Sequence, residues 1–135
     1  MNAEDIQQRF DESPFMKFLG LKVQSVDRER SELMVTMPMR AEIERGQGTA
    51  QFHGCPIAAF IDIVGDFAVA LVVGGGVPTI NIRIDYLKPA VGSLLTGTAR
   101  VRRSGRTVSV VDIDVFDEKQ SLVAVGRGTY SSQKC

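Results

Sequence analysis

One run constrains this chain more than any other feature: Gly54 to Val73, GCPIAAFIDIVGDFAVALVV, with Pro56 near its start and Gly74-Gly75-Gly76 just beyond its end. Proline fits the first turn of a helix, where its missing N–H is not needed, and glycine stops one. At 1.5 Å per residue the helix is about 30 Å long, enough to cross a small domain. It is apolar on nearly all sides and therefore has to be buried. A membrane is the rival place to bury it, but Asp62 and Asp66 stand in its middle. Each costs about 2.5–3.5 kcal/mol at the centre of a bilayer, so no membrane partner is expected. The rest of the chain must supply a sheet.

That sheet is legible as period-two alternation. Leu21 and Val23, then Leu33, Val35 and Met37, alternate with polar residues around the charged turn Asp27-Arg28-Glu29-Arg30, a hairpin ending at Pro38. Beyond the glycines, Ile80, Ile82, Ile84 and Tyr86 share one face opposite Asn81, Arg83 and Asp85, and Leu95, Gly97, Ala99 and Val101 repeat the pattern. Between Arg106 and Phe116, Val108 and Val110 fall on one face and Val111, Ile113 and Val115 on the other. This shift predicts a bulge near Val110 or burial of both faces. Ala124, Gly126 and Gly128 form a small-residue stripe in the last strand, a seat for a closely approaching helix. Short connections at Gly92, Ser104-Gly105 and Glu118 to Gln120 favour antiparallel neighbours. Residues 1–19 read as a short polar helix and an apolar knot, Phe15, Met16, Phe18 and Leu19, forming a strap, and Arg40 to Gln51 reads as a loop. The expected class is α+β: one domain over residues 1–135, a curved antiparallel sheet around a helix spanning 54–73.

Composition narrows the function. A chain of 135 residues with 44% hydrophobic and 24% charged residues is neither disordered nor a fibrous rod. Sixteen Lys+Arg balance sixteen Asp+Glu, leaving no net field to attract nucleic acid, which is not expected as a partner. The first twenty residues carry Glu4, Asp5, Asp11 and Glu12 and no apolar run of signal-peptide length, so a cytoplasmic location is expected. Cys55 and Cys135 lie eighty residues apart and His53 is the only histidine, too few ligands for a zinc site; free thiols and no metal are expected.

The chemistry concentrates around the start of the long helix, Phe52-His53-Gly54-Cys55-Pro56. Gly54 stands where free backbone N–H groups and the helix dipole favour developing negative charge. Asp62 is a carboxylate inside an apolar helix, which is costly unless something pairs it or uses it. Together these are the parts of a carbonyl-attack site: an oxyanion donor and a general base. Ala58, Ala59 and Gly65 leave a small-residue gap around Asp62, room for a substrate or a partner helix. Structural readings stand beside these. Asp62 can cap a neighbouring loop, and His53 can order one rather than act as acid or base. Cys55 can be a packed thiol rather than a nucleophile. Asp66, four residues after Asp62 on the same side, raises the pKa of one of the pair and either binds water or substrate at the pocket's edge or lies on an exposed rim.

The pattern His53-Gly54 followed by Asp62 on a long helix, then Ile82-Arg83-Ile84-Asp85-Tyr86-Leu87-Lys88-Pro89-Ala90, then Arg103-Ser104-Gly105-Arg106-Thr107, resembles the hotdog-fold acyl-CoA thioesterases of the phenylacetic-acid-degradation type. The resemblance runs from about Pro14 to Ser131. It implies a sheet wrapped around a central helix, homodimers that pair into homotetramers, and hydrolysis of an acyl-CoA substrate without cofactor or metal. By matching position it gives Gly54 the N–H that polarises the thioester carbonyl and Asp62 the role of catalytic base or nucleophile. Where the family carries a second glycine after His-Gly this chain has Cys55, and where it often has an asparagine this chain has Gln47, placed to hold the carbonyl or a water. Cys55 and Asp66 are then candidate substrate contacts. Arg102, Arg103 and Arg106, beside Arg100, become either anchors for the CoA phosphates or a solvated basic turn. A non-catalytic acyl-CoA or acyl-carrier binding module is the alternative. Gly54 and Asp62 are about 12 Å apart along one helix, too far for one thioester to touch both, so a site shared between two antiparallel copies is expected.

Overall fold

The computed structural model describes residues 1–135. The long helix, α3 (Gly54–Val73), is preceded by α1 (Ala3–Glu12) and α2 (Pro14–Leu19). It lies across a curved six-stranded antiparallel sheet built from β1 (Lys22–Asp27), β2 (Glu32–Pro38), β3 (Thr79–Tyr86), β4 (Leu94–Ser104), β5 (Val108–Phe116) and β6 (Leu122–Ser131). The strand order is β1-β2-β4-β5-β6-β3, so β1 and β3 are the two edges. The helix ends at Gly74 in the left-handed region, φ 86°, a conformation that glycine adopts without a Cβ clash.

The inner face of the sheet is what the helix needs. Leu33, Val35 and Met37 of β2, Leu95 and Ala99 of β4, and Val111, Ile113 and Val115 of β5 are buried against it. Glycines set the distance of approach. A Cβ on Gly97 would lie 2.9 Å from the Phe60 ring, and one on Gly126 would lie 2.6 Å from Ile61 Cγ2. The small-residue stripe of β6 is thus a seat for α3, as its composition suggests. Gly128 makes room for something else, the ring of Tyr130 two residues along the same strand. Tyr130 is fully buried and its hydroxyl rises to the helix at Gly65, where a side chain would collide with it.

The outer face is polar, which explains why alternation was so clean. Register places Glu32, Arg100, Asp112, Arg127 and Arg83 on five neighbouring strands in one row. Arg127 grips Asp112 with two bonds of 2.7 and 2.9 Å, and Arg102 approaches the same carboxylate at 3.6 Å. The Arg127 hydrogen bonds hold the Asp112 carboxyl below the usual carboxylate range.

Local structure refines four of these expectations. The bulge expected near Val110 is present, with the extra residue on the opposite strand: β4 shifts register between Val101 and Arg103, leaving Arg102 as the extra residue. β5 itself keeps one inward set, beginning at the buried Ser109, whose hydroxyl bridges those of Ser104 and Ser132 at 2.9 and 2.8 Å. The apolar knot after Pro14 is helical, with only Leu19 fully buried; Phe15 and Phe18 are exposed, and the Arg40 guanidinium covers Phe18 at 4.0 Å. The loop from Arg40 to Gln51 contains a 3-10 turn, Ala41–Ile43, that buries Ile43. Ile80 and Tyr86 share a strand face with their isoleucine neighbours, yet they are 58% and 52% exposed because β3 is an edge.

The Gly65–Tyr130 contact is testable. Gly65→Ala forces a methyl into the Tyr130 hydroxyl end and close to Ile113, and is expected to lower stability by about 1–3 kcal/mol. Gly76→Ala, which meets nothing within 4 Å, is expected to be nearly neutral. Urea midpoints of the two variants check this, and equal midpoints would remove Tyr130 as the constraint at Gly65.

Candidate active site

The first turn of α3 opens into a cleft of about 590 Å³. Its setting is fixed by backbone bonds on both sides: Phe52 N–H donates to the Ala90 carbonyl at 2.8 Å and His53 N–H to the Ile43 carbonyl at 2.9 Å. Upstream, the Glu44 carboxylate accepts from Gly48 and Ala50 N–H, both at 2.8 Å, and folds the loop back on itself. Phe52, Ile57 and Ala90 give the cleft a buried apolar lining, and Tyr86 and Leu87 at the end of β3 line it too. His53 is the N-cap of α3: its Nδ1 accepts from Cys55 N–H at 3.3 Å. That bond is the loop-ordering role weighed for His53. Gly54 N–H makes no hydrogen bond within the chain, while its carbonyl accepts from the Tyr86 hydroxyl at 2.7 Å. An unpartnered N–H at a helix start inside an apolar-lined cleft is a ready anion donor.

Two turns along α3, Asp62 is half-buried and accepts a hydrogen bond from the Thr79 hydroxyl at 2.7 Å. Its main-chain carbonyl accepts from the Tyr130 hydroxyl at 3.1 Å. The gap expected beside it at Gly65 is therefore filled by Tyr130, not left for substrate; Ala58 and Ala59 remain half-exposed. One turn further, Asp66 accepts from Val77 N–H at 3.3 Å. Burial pushes its pKa from the ordinary 3.8 to about 6; the Asp62 charge adds to the rise and the Val77 bond opposes it. Burial, the two nearby carboxylates and the bond to Asp62 also drive the Tyr130 hydroxyl well above the usual phenol range, so it stays a donor.

The structure brings Gly54, His53 and Cys55 together in the cleft and groups Asp62 with Asp66 and Thr79 at a separate place on the same helix. Asp62 does not line the Gly54 cleft. Cys55 is an exposed thiol in the cleft wall. Gln47 is exposed in the loop before α3, lines no part of the cleft and makes no hydrogen bond through its side chain. Arg102 is engaged with Asp112, and Arg103 and Arg106 are exposed around the β4–β5 turn, away from the cleft lining. Thr79 and Tyr86 are the residues that sequence reasoning missed as site components. Tyr86 was read as a strand residue, and nothing in the spacing of Thr79 from Asp62 marks a hydroxyl that reaches back to a helix.

Asp66 gives a pH signature. Its pKa is higher folded than the ordinary 3.8, so the folded state resists ionisation: stability is lost as pH rises from about 4 to about 6 and the loss is complete above that. Asp66→Asn keeps an acceptor for Val77 N–H and removes the charge. It is expected to be more stable than the parent at pH 8, with the gap closing toward pH 4 in urea unfolding; a gap independent of pH would assign it to another cause.

Comparison with known proteins agrees with the fold. The family model described as the thioesterase superfamily matches residues 51–124. A Halobacterium salinarum protein provisionally named an esterase is 34% identical, covering 93% of this chain and 88% of its own length. The acyl-coenzyme A thioesterase PaaI of Escherichia coli is 32% identical, covering 83% of this chain and 77% of its own. Among solved structures, a thioesterase-superfamily protein superposes with TM-score 0.90 at 28% identity, covering 97% of this chain and 98% of the other. The E. coli PaaI structure gives TM-score 0.80 at 26% identity, with 97% and 95% covered.

Proposed function

This chain belongs to the thioesterase superfamily, and from that membership we propose that it hydrolyses acyl-CoA thioesters to the free acid and CoA. The observation that carries the reading is the unpartnered Gly54 N–H in an apolar-lined cleft, on the same helix as a half-buried carboxylate, Asp62, held by Thr79. The Gly54 N–H donates to the thioester carbonyl oxygen and stabilises the charge that grows there as the carbonyl carbon becomes tetrahedral. Asp62 takes a proton from water as the water oxygen bonds that carbon; the C–S bond then breaks and the proton passes to the departing thiolate. Attack by Asp62 itself uses the same two residues: the C–S bond breaks and the CoA thiolate leaves as the anhydride forms, and water opens the anhydride to the free acid and the Asp62 carboxylate, its proton passing to the thiolate.

Both groups of one chain cannot serve one thioester, because eight residues of helix separate them by about 12 Å. The edge strand supports a shared site. Its Thr79 end lies at Asp62 and its Tyr86 end at Gly54. Two β3 edges paired antiparallel put the Thr79 end of one protomer beside the Tyr86 end of the other, which brings Asp62 toward the partner subunit's Gly54. Such pairing also covers Ile80 and Tyr86. The acting unit in this reading is a homodimer with two composite sites, and a homotetramer is a pair of these.

Release of free thiol from a panel of acyl-CoAs tests the reading, and binding without release would favour the non-catalytic alternative. Asp62→Asn is expected to lower turnover by about 10²–10⁴-fold with acyl-CoA still bound. Thr79→Val, which removes only the bond to Asp62, is expected to cost roughly 5–30-fold in kcat. Gly54→Pro blocks the N–H at a helix position that accepts proline. Mixed with Asp62→Asn and allowed to exchange subunits, it is expected to restore part of the activity, because one site of each heterodimer is intact. Exchange confirmed by mass with no recovery would refute the shared site.

A further inference from the structure

The chain has two tyrosines, and the hydroxyl of each is bonded to the main-chain carbonyl of one of the two residues that carry the chemistry in the acyl-CoA reading. The Tyr86 hydroxyl donates to the Gly54 carbonyl at 2.7 Å and the Tyr130 hydroxyl to the Asp62 carbonyl at 3.1 Å. No other main-chain carbonyl of α3 accepts from a side chain. The Tyr86 ring closes over Gly54, where a Cβ would meet it at 3.5 Å. Tyr130 lies along Gly128 and ends at Gly65, where a Cβ would stand 2.3 Å from its ring and 2.2 Å from its hydroxyl, respectively. Register adds a third bond. Thr79 of β3 stands directly opposite Tyr130 of β6, and the bulge between Thr79 and Asn81 sets it there in place of Ile80. The two hydroxyls of that cross-strand pair converge on Asp62, one at its carboxylate and one at its backbone.

These three are the only side-chain hydrogen bonds between α3 and the sheet. The rest of the helix lies on apolar side chains such as Val35, Leu95, Val111 and Ile113, whose attraction has no direction. A hydrogen bond weakens steeply when it is stretched or bent, so a hydroxyl at each of two points fixes the helix along its axis. That position matters twice over in a shared site. If α3 slides on its sheet in both protomers, Asp62 moves one way and the partner's Gly54, on an antiparallel helix, moves the other, so the gap between them changes by twice the slide. Resting on the acyl-CoA reading and its shared site, we propose that Tyr86 and Tyr130 are positioning residues: together they lock α3 against sliding and so hold the Gly54 N–H and Asp62 at the spacing that one thioester needs across two subunits. Neither hydroxyl supplies a proton to the reaction, since each donates to a carbonyl of its own chain.

The experiment compares kcat and KM for one acyl-CoA in the parent, Tyr86→Phe, Tyr130→Phe and the double variant, each of which keeps the ring and loses only the hydroxyl. Either bond alone still restrains the helix, so each single variant is expected to lose roughly 2–5-fold in kcat with KM within about twofold of the parent's. The double variant is expected to lose more than the product of the two, approaching about 10²-fold, the cost of a misplacement near 1 Å. Ile6→Val, which trims a buried side chain of α1 and costs comparable stability in urea, is expected to keep kcat within about twofold. A double loss no greater than the product of the single ones would overturn the proposal, because the two bonds would then not share one restraint. A change in KM alone, or the same fall in kcat in Ile6→Val, would overturn it too and assign the tyrosines to substrate binding or to stability. If the parent cleaves no thioester, the hydrolase reading fails separately, and crystal structures of the parent and the double variant still decide the seating of the helix. After superposition on the six strands, Gly54 and Asp62 displaced together along the helix axis support it, and coincident positions overturn it.

Discussion

Everything in this fold follows from a helix that is too apolar to face water along more than one narrow stripe. α3 carries buried residues from Ile57 to Leu71 around most of its circumference, and a single antiparallel sheet can satisfy it only by curving around it. Curvature requires places where the strands lack side chains. Gly97 and Gly126 take Phe60 and Ile61 of the helix at distances that no Cβ would allow. The N-terminal helix closes what the sheet leaves open: Ile6 and Phe10 are buried, and the Phe10 ring meets Phe67 of α3 edge-on at 4.9 Å.

Carboxylates in such a helix are tolerated because other elements bring them partners. Thr79 reaches Asp62, Val77 N–H reaches Asp66, and the Tyr130 hydroxyl binds the Asp62 carbonyl from beneath the helix. Val77 and Thr79 belong to the segment that leads from the Gly74 cap into β3, so the acids and the edge strand hold one another in place. The two carboxylates differ in consequence. Burial raises the pKa of Asp66, which is held by the Val77 N–H, whereas Asp62 is held by the Thr79 hydroxyl.

The cleft and the acids stay apart within one protomer, and β3 is the element that spans them. A strand with one free edge, hydroxyls on the site groups at its two ends and exposed Ile80 and Tyr86 between and at its limits is physically suited to a second copy of itself. The catalytic reading and the dimer reading therefore rest on one another through the geometry of that strand.

The sequence by itself determined the helix, its proline-led start and glycine stop, the hairpin at Asp27 to Arg30, the one-sided alternation of β4 and the small-residue stripe of β6. These are local signals, set by a period of 3.6 or 2 and by backbone preferences that neighbouring residues alone decide. It also singled out Gly54 and Asp62, because a glycine at a helix start and a carboxylate within an apolar run are anomalies visible in one dimension. Only the tertiary structure decided that Tyr130 fills the space at Gly65, that the extra residue of the bulge is Arg102, that Ile80 and Tyr86 lie on an edge, and that Thr79 and Tyr86 reach Asp62 and Gly54. It also decided which arginines are already paired across the outer face. The reason is common to all of these: strand order and register join residues far apart in the chain, and a hydroxyl or a guanidinium carries no mark in its local sequence of the partner that the fold will bring to it.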